Sequence, residues 1–83
     1  MAVDVETIRQ LPKVDSVEWI KPGQVISDTD YQSLRDLLQS RKRMTLIGKN
    51  GCVIIASIKE ELLIIQSKPN VNLGSIDLIL DSI

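Results

Sequence analysis

The stretch Met44-Thr-Leu-Ile-Gly-Lys-Asn-Gly-Cys-Val-Ile-Ile-Ala-Ser-Ile-Lys-Glu-Glu-Leu-Leu-Ile-Ile-Gln66 decides how the rest of the chain must be arranged. It is dense in β-branched residues, which suit a pleated, half-buried surface. Only Asn50-Gly51 and the charged triplet Lys59-Glu60-Glu61 interrupt it. Asn-Gly between apolar runs signals a hairpin, because a type I′ turn needs positive φ at both central residues. The pattern predicts three antiparallel strands at roughly 44–49, 52–58 and 62–67. With Asn50-Gly51 as the loop, Lys49 should face Cys52, Ile47 should face Ile54 and Leu46 should face Ile55. One sheet face then carries Thr45, Ile47, Ile54 and Ala56, and the other Met44, Leu46, Val53 and Ile55. A sheet solvated on one side shows polar residues there, so this one needs cover on both.

Working outward, Ser27 to Arg43 reads as the principal helix, over about 28–42. Tyr31, Leu34, Leu37 and Leu38 form its apolar stripe. Ser27 and Thr29 are candidate caps, with Asp30 or Gln32 completing a capping box. Asp28 and Asp30 in the first turn, and Arg41, Lys42 and Arg43 in the last, complement the helix dipole. Before it, Val14 to Ile20 alternates imperfectly and suits a strand. Lys21-Pro22-Gly23-Gln24 carries a type II turn signal, and Val25-Ile26 resumes a short strand. Residues 4–11 suit a short helix capped by Asp4 and ended by Pro12, with Val5, Ile8 and Leu11 on one face. At the other end Ser75 caps a helix whose Ile76, Ile79, Leu80 and Ile83 align. A strand through Ile76, Leu78 and Leu80 is its rival.

Length and composition bound the class. For 83 residues and 9.3 kDa, surface scaling gives about 5,000 Å² folded against roughly 13,500 Å² unfolded, so about 63% is buried. One modest core without metal or disulfide staples is the expectation. With Trp19 and Tyr31 the only aromatics, that core must be aliphatic. The fold class is therefore α+β: one domain spanning 1–83, with a three- or four-stranded antiparallel sheet, a central helix and short terminal helices.

Catalytic chemistry is thinly represented. The chain has no histidine and one cysteine, which removes the commonest general base and any thiolate zinc site. Cys52 sits in an apolar run and reads as packing. The carboxylate pairs Asp28/Asp30, Glu60/Glu61 and Asp77/Asp81 are explained by a helix start, a solvated turn and the polar side of a terminal element. No enzyme activity, cofactor or metal is expected. The single cysteine and the lack of any apolar run near the roughly 20 residues of a membrane helix point to a cytoplasmic protein without membrane association.

Two surfaces carry the functional expectation. Between positions 35 and 49, five cations stand against Asp36 alone. Arg41, Lys42, Arg43 and Lys49 are candidate contacts to an anion or nucleic acid, and a solvated helix C-terminus explains the same cluster structurally. Ile47-Gly48-Lys49-Asn50-Gly51 also resembles the Ile-Gly-x-x-Gly signature of KH domains, whose loop clamps single-stranded nucleic acid. That resemblance implies a loop between two helices, whereas Cys52 to Ile58 prefers a strand, so the hairpin is the reading taken. The second surface is the two-sided apolar sheet, with Leu46, Val53, Ile55, Leu63 and Ile65 as candidate interface residues. The primary expectation is a non-enzymatic interaction or regulatory module, a homodimer through a sheet face or edge. The alternative is a small nucleic-acid-binding protein.

Overall fold

A computed structural model describes residues 5–26 and 29–82. The chain forms α1 (Val5–Gln10), β1 (Val14–Ile20), β2 (Val25–Ile26), β3 (Thr29–Asp30), α2 (Tyr31–Leu38), β4 (Arg43–Gly48), β5 (Gly51–Ile58), β6 (Glu61–Ser67) and α3 (Leu73–Asp81). The main sheet has the order β1-β6-β5-β4, every pair antiparallel, and β2 pairs with β3 in a two-stranded ribbon. The fold is α+β, with four strands in the main sheet.

The β4–β5 hairpin turns one residue earlier than its Asn-Gly dipeptide suggests. Gly48 faces Gly51, Ile47 faces Cys52, Leu46 faces Val53 and Thr45 faces Ile54. The loop is therefore Lys49-Asn50, and neither residue has positive φ, so the turn is not type I′. The physical reason lies in the third strand. A Cβ on Gly51 would stand 2.6 Å from the carbonyl oxygen of Ser67, so this glycine serves the close approach of β6 and belongs to the ladder. Each partner has moved by two places, which keeps every side chain on its expected face. The β5–β6 hairpin closes on Ile58 and Glu61, with φ +58 at Lys59 alone in its two-residue loop. Positive φ at the first position only is the II′ pattern.

β1 owes its imperfect alternation to a bulge. Val14 faces Ser67 but Ser16 faces Gln66, so one extra residue lies between them. The bulge puts Val14, Val17 and Trp19 together against the same hydrophobic cluster. The preceding turn follows its sequence: Gly23 has φ +84, and Gln24 N–H donates to the Lys21 carbonyl at 3.0 Å.

Helices cover both faces of the sheet. On one face, Ile8 of α1 and Ile76 and Leu80 of α3 join Val17, Ile54, Ala56, Leu63, Ile65 and Val71. On the other, Leu34 and Leu38 of α2 meet Ile20, Ile55 and Leu62, flanked by Tyr31, Met44, Val53 and Ile64. Two aliphatic cores thus share one sheet. The helix predicted over 28–42 is shorter, ending at Leu38. Gln39 takes φ 58 and ψ −124 and turns the chain out of the helix. Arg41 and Lys42 consequently lie in the connection to β4, and Arg43 begins that strand. They do not complement the helix dipole. The cap is neither predicted candidate but Asp30, the last residue of β3, whose Oδ1 accepts from Ser33 N–H at 2.6 Å. Ser27, Asp28, Asp4 and Ile83 lie outside the described residues. α3 is a helix, and its cap is not Ser75, which lies in its first turn, but Asn72, which accepts from Ser75 N–H at 3.1 Å.

Candidate functional site

β4 is one edge of the main sheet, and its chemistry differs from that of the opposite edge. In a two-residue hairpin the closing pair is hydrogen-bonded, and alternate residues then point their backbone groups inward. Gly48, Leu46 and Met44 thus bond to β5, and Lys42 extends the series, its carbonyl accepting from Ser57 N–H at 2.7 Å. Arg43, Thr45 and Ile47 direct their N–H and C=O groups away from the sheet. Among the described residues no side chain bonds to those outward groups. The other edge, β1, is guarded: α1 lies beside it, and Arg9 Nη2 donates to the Val17 carbonyl at 3.1 Å. Along β4, Ile47 is 70% exposed and Leu46 46% exposed. Ile47 lies beyond the reach of α3, and Leu46 beyond that of α2.

Of the predicted interface residues, Leu46 is exposed and Val53 half-buried beside it, its cross-strand partner. Ile55, Leu63 and Ile65 are buried. Ile55 lies under α2, and Leu63 and Ile65 lie beneath α1 and α3 on the opposite face. They cannot serve as surface in the folded chain, because the helices supply the cover that the apolar faces require.

The predicted cationic residues divide between the two ends of β4. Lys49 sits at the hairpin tip and Arg43 at the strand start, roughly 20 Å apart at the usual rise per residue. Arg43 is committed to α3, its Nη2 bonding Asp81 at 2.8 Å and its Nε facing Asp77 at 3.6 Å. The helical spacing of the two aspartates puts both on one side of α3, so this pair anchors the helix to β4. Arg41 and Lys42 remain exposed near it. Gly48-Lys49-Asn50-Gly51 joins two strands, so it does not have the helix–loop–helix setting of a KH clamp.

Two features were not foreseen. Arg35, on α2, ties that helix to the β5–β6 turn. Its Nε donates to the Tyr31 hydroxyl at 2.7 Å and its Nη1 to Ser57 Oγ at 2.6 Å. The Tyr31 hydroxyl in turn donates to the Glu60 carbonyl at 2.6 Å. The spacing of Tyr31 and Arg35, four apart on one helix, was the available signal. The second feature is a cavity of about 510 Å³ lined by Lys42, Arg43, Ala56, Ser57, Ile58, Lys59, Leu80 and Asp81. It brings together residues from three distant stretches, which no local pattern announces.

Cys52 is buried, its thiol 4.0 Å from the Pro69 carbonyl oxygen, in a packing position. Among the described residues there is no cluster of histidine, cysteine and carboxylate groups able to hold a metal ion. No described helix is long and apolar enough to cross a membrane. No family model matches this chain, and neither a curated protein nor a solved structure matches it.

Proposed function

We propose that this protein is a non-enzymatic interaction module that self-associates through the β4 edge, forming a two-fold dimer with a continuous eight-stranded sheet. One observation carries the reading: β4 presents unbonded outward N–H and C=O groups flanked by exposed Leu46 and Ile47, while on the β1 edge Arg9 already occupies the Val17 carbonyl. An open edge of this kind is a template for another strand, and a second copy offers the same template in a self-complementary way.

Charge selects the register. With Leu46 on the two-fold axis, Arg43 would face Lys49 of the partner subunit, placing like charges opposite each other. With Thr45 on the axis, Arg43 faces Ile47 of the partner subunit and Met44 faces Leu46 of the partner subunit. The second arrangement keeps like charges apart, joins the apolar pair of Met44 and Leu46, and leaves every outward backbone group bonded.

The experiment is sedimentation equilibrium of the full chain over micromolar to millimolar concentrations, with Thr45→Pro as the test variant. Thr45 N–H points outward, so proline removes a donor the monomer does not use and blocks strand addition. A dimer in the parent and a folded monomer in Thr45→Pro support the proposal. If that variant unfolds, Ile47→Lys tests the same edge. A parent that stays monomeric throughout, or a folded edge variant that still dimerises, refutes it.

The nucleic-acid alternative rests on Arg41, Lys42, Arg43 and Lys49. Commitment of Arg43 to two aspartates and the remoteness of Lys49 deprive it of a continuous phosphate track. Retardation of single-stranded RNA or duplex DNA that weakens linearly in log–log salt would favour it instead.

A further inference from the structure

We propose that the cavity between the β5–β6 turn and the C-terminal end of α3 binds a small amphipathic organic anion, an acidic headgroup carried on an apolar body. The lining divides into two chemistries. Ala56, Ile58 and Leu80 give an apolar floor, with Ala56 and Leu80 themselves part of the core. Lys42, Arg43 and Lys59 stand around it with Asp81 as the single acid. Arg43 bonds Asp81 at 2.8 Å and faces Asp77 at 3.6 Å, so this trio carries one net negative charge. Lys42 and Lys59 are exposed and make no ion pair among the described residues, and against that trio they leave the site one charge positive. A volume of about 510 Å³ falls in the range of small-molecule sites, which combine mostly apolar walls with a few placed polar groups.

The same details exclude neighbouring chemistries. An uncharged apolar molecule would leave two lysines beside it without a counter-charge. A bare inorganic anion would leave the aliphatic floor wet. An extended polyanion would run onto the carboxylates of Asp77 and Asp81 on α3 and of Glu60 in the turn, and it would find no aromatic platform for its bases. A single acidic group with an aliphatic tail satisfies both halves at once. The site shares only Arg43 with the outward β4 edge; the rest of its lining comes from Lys42, the far end of β5, the β5–β6 turn and α3.

Octanoate is a suitable probe, titrated into the isotopically labelled full chain and followed by amide chemical shifts. Saturable shifts are expected at Lys42, Ser57, Lys59 and Leu80. Lys42→Glu should weaken binding severalfold by replacing attraction with repulsion at the exposed rim of the site. Lys59→Gly should weaken it severalfold while keeping or raising the melting temperature, because glycine suits the positive φ at that position. That pairing separates lost binding from lost fold. Lys49→Glu, at the far end of β4, should leave the affinity unchanged. Four results would overturn the proposal: no shifts at these residues up to about 10 mM, shifts centred elsewhere, binding of octanol as tight as octanoate, or binding of inorganic phosphate as tight as octanoate.

Discussion

Two residues show how differently a backbone position can constrain its occupant. Gly51 has an ordinary φ, and its requirement is spatial: an added Cβ would meet the Ser67 carbonyl oxygen at 2.6 Å. Since backbone must shift to admit even a methyl group, Gly51→Ala should cost about 1–3 kcal/mol, read as a lower denaturation midpoint with the m-value unchanged. Gln39 is the reverse case. Nothing crowds the exposed end of α2, but φ 58 with ψ −124 is a conformation that glycine adopts far more readily than glutamine. Gln39→Gly should therefore stabilise the protein by about 0.5–1 kcal/mol, visible as a melting temperature several degrees higher. Neither requirement is a property of the residue alone. One comes from a neighbouring strand and the other from where the helix has to stop.

At the scale of the element, α2 depends on its cap and α3 on its anchor. Asp30 lies at the start of α2, and hydrogen bonds from Ser33, backbone first and then side chain, lower its carboxyl below the ordinary 3.8, with the Gln32 N–H contributing in the same sense. A lowered folded pKa means that the ionised cap adds stability above the unfolded value. That contribution fades as pH falls below about 3.8 through the still lower folded value. Asparagine caps a helix without titrating. Asp30→Asn should consequently lose less stability than the parent between about pH 5 and about pH 2, measured by urea unfolding across that range. A parallel decline in both proteins would remove Asp30 from the acid response. The sequence pointed to Ser27 or Thr29 as the cap and to Asp30 only as a capping-box partner. In the structure Asp30, the last residue of β3 and paired with Val25, is itself the cap, because the helix begins directly after the ribbon ends.

For the whole molecule the decisive feature is one sheet with two separate cores. Ile55 belongs to the cluster under α2, and Ile76 to the cluster under α3. The sheet backbone separates them, and they share no packing partner within either cluster. Ile55→Val and Ile76→Val should each cost about 1 kcal/mol, and the double variant should equal their sum within about 0.5 kcal/mol. A larger coupling would show that the two layers form one mechanically continuous core. Exposed apolar side chains fall on β4, where the short helices fail to reach Leu46 and Ile47, on the outward sides of α2 and α3 at Leu37 and Leu78, and at Val25 of β2. Leu37 therefore does not join the buried stripe of Leu34 and Leu38. A chain whose helices run only six to nine residues cannot cover a four-stranded sheet out to its last strand. The uncovered strand is β4, which is why the proposed contact lies there.

Much of the fold was legible locally, because side-chain alternation, Asn-Gly, Pro-Gly and helical spacing act over a few residues and follow from backbone sterics. The stretch from Met44 to Gln66 by itself determined three antiparallel strands and the face on which each side chain lies. The turn position required β6, whose carbonyl at Ser67 crowds Gly51 and thereby places that glycine inside the ladder. The Arg43–Asp77–Asp81 cluster, the cavity beside it and the difference between the guarded and open edges were likewise decided only in three dimensions. Each joins residues far apart in the chain, and a local pattern carries no information about which distant groups the sheet order will bring within hydrogen-bonding reach.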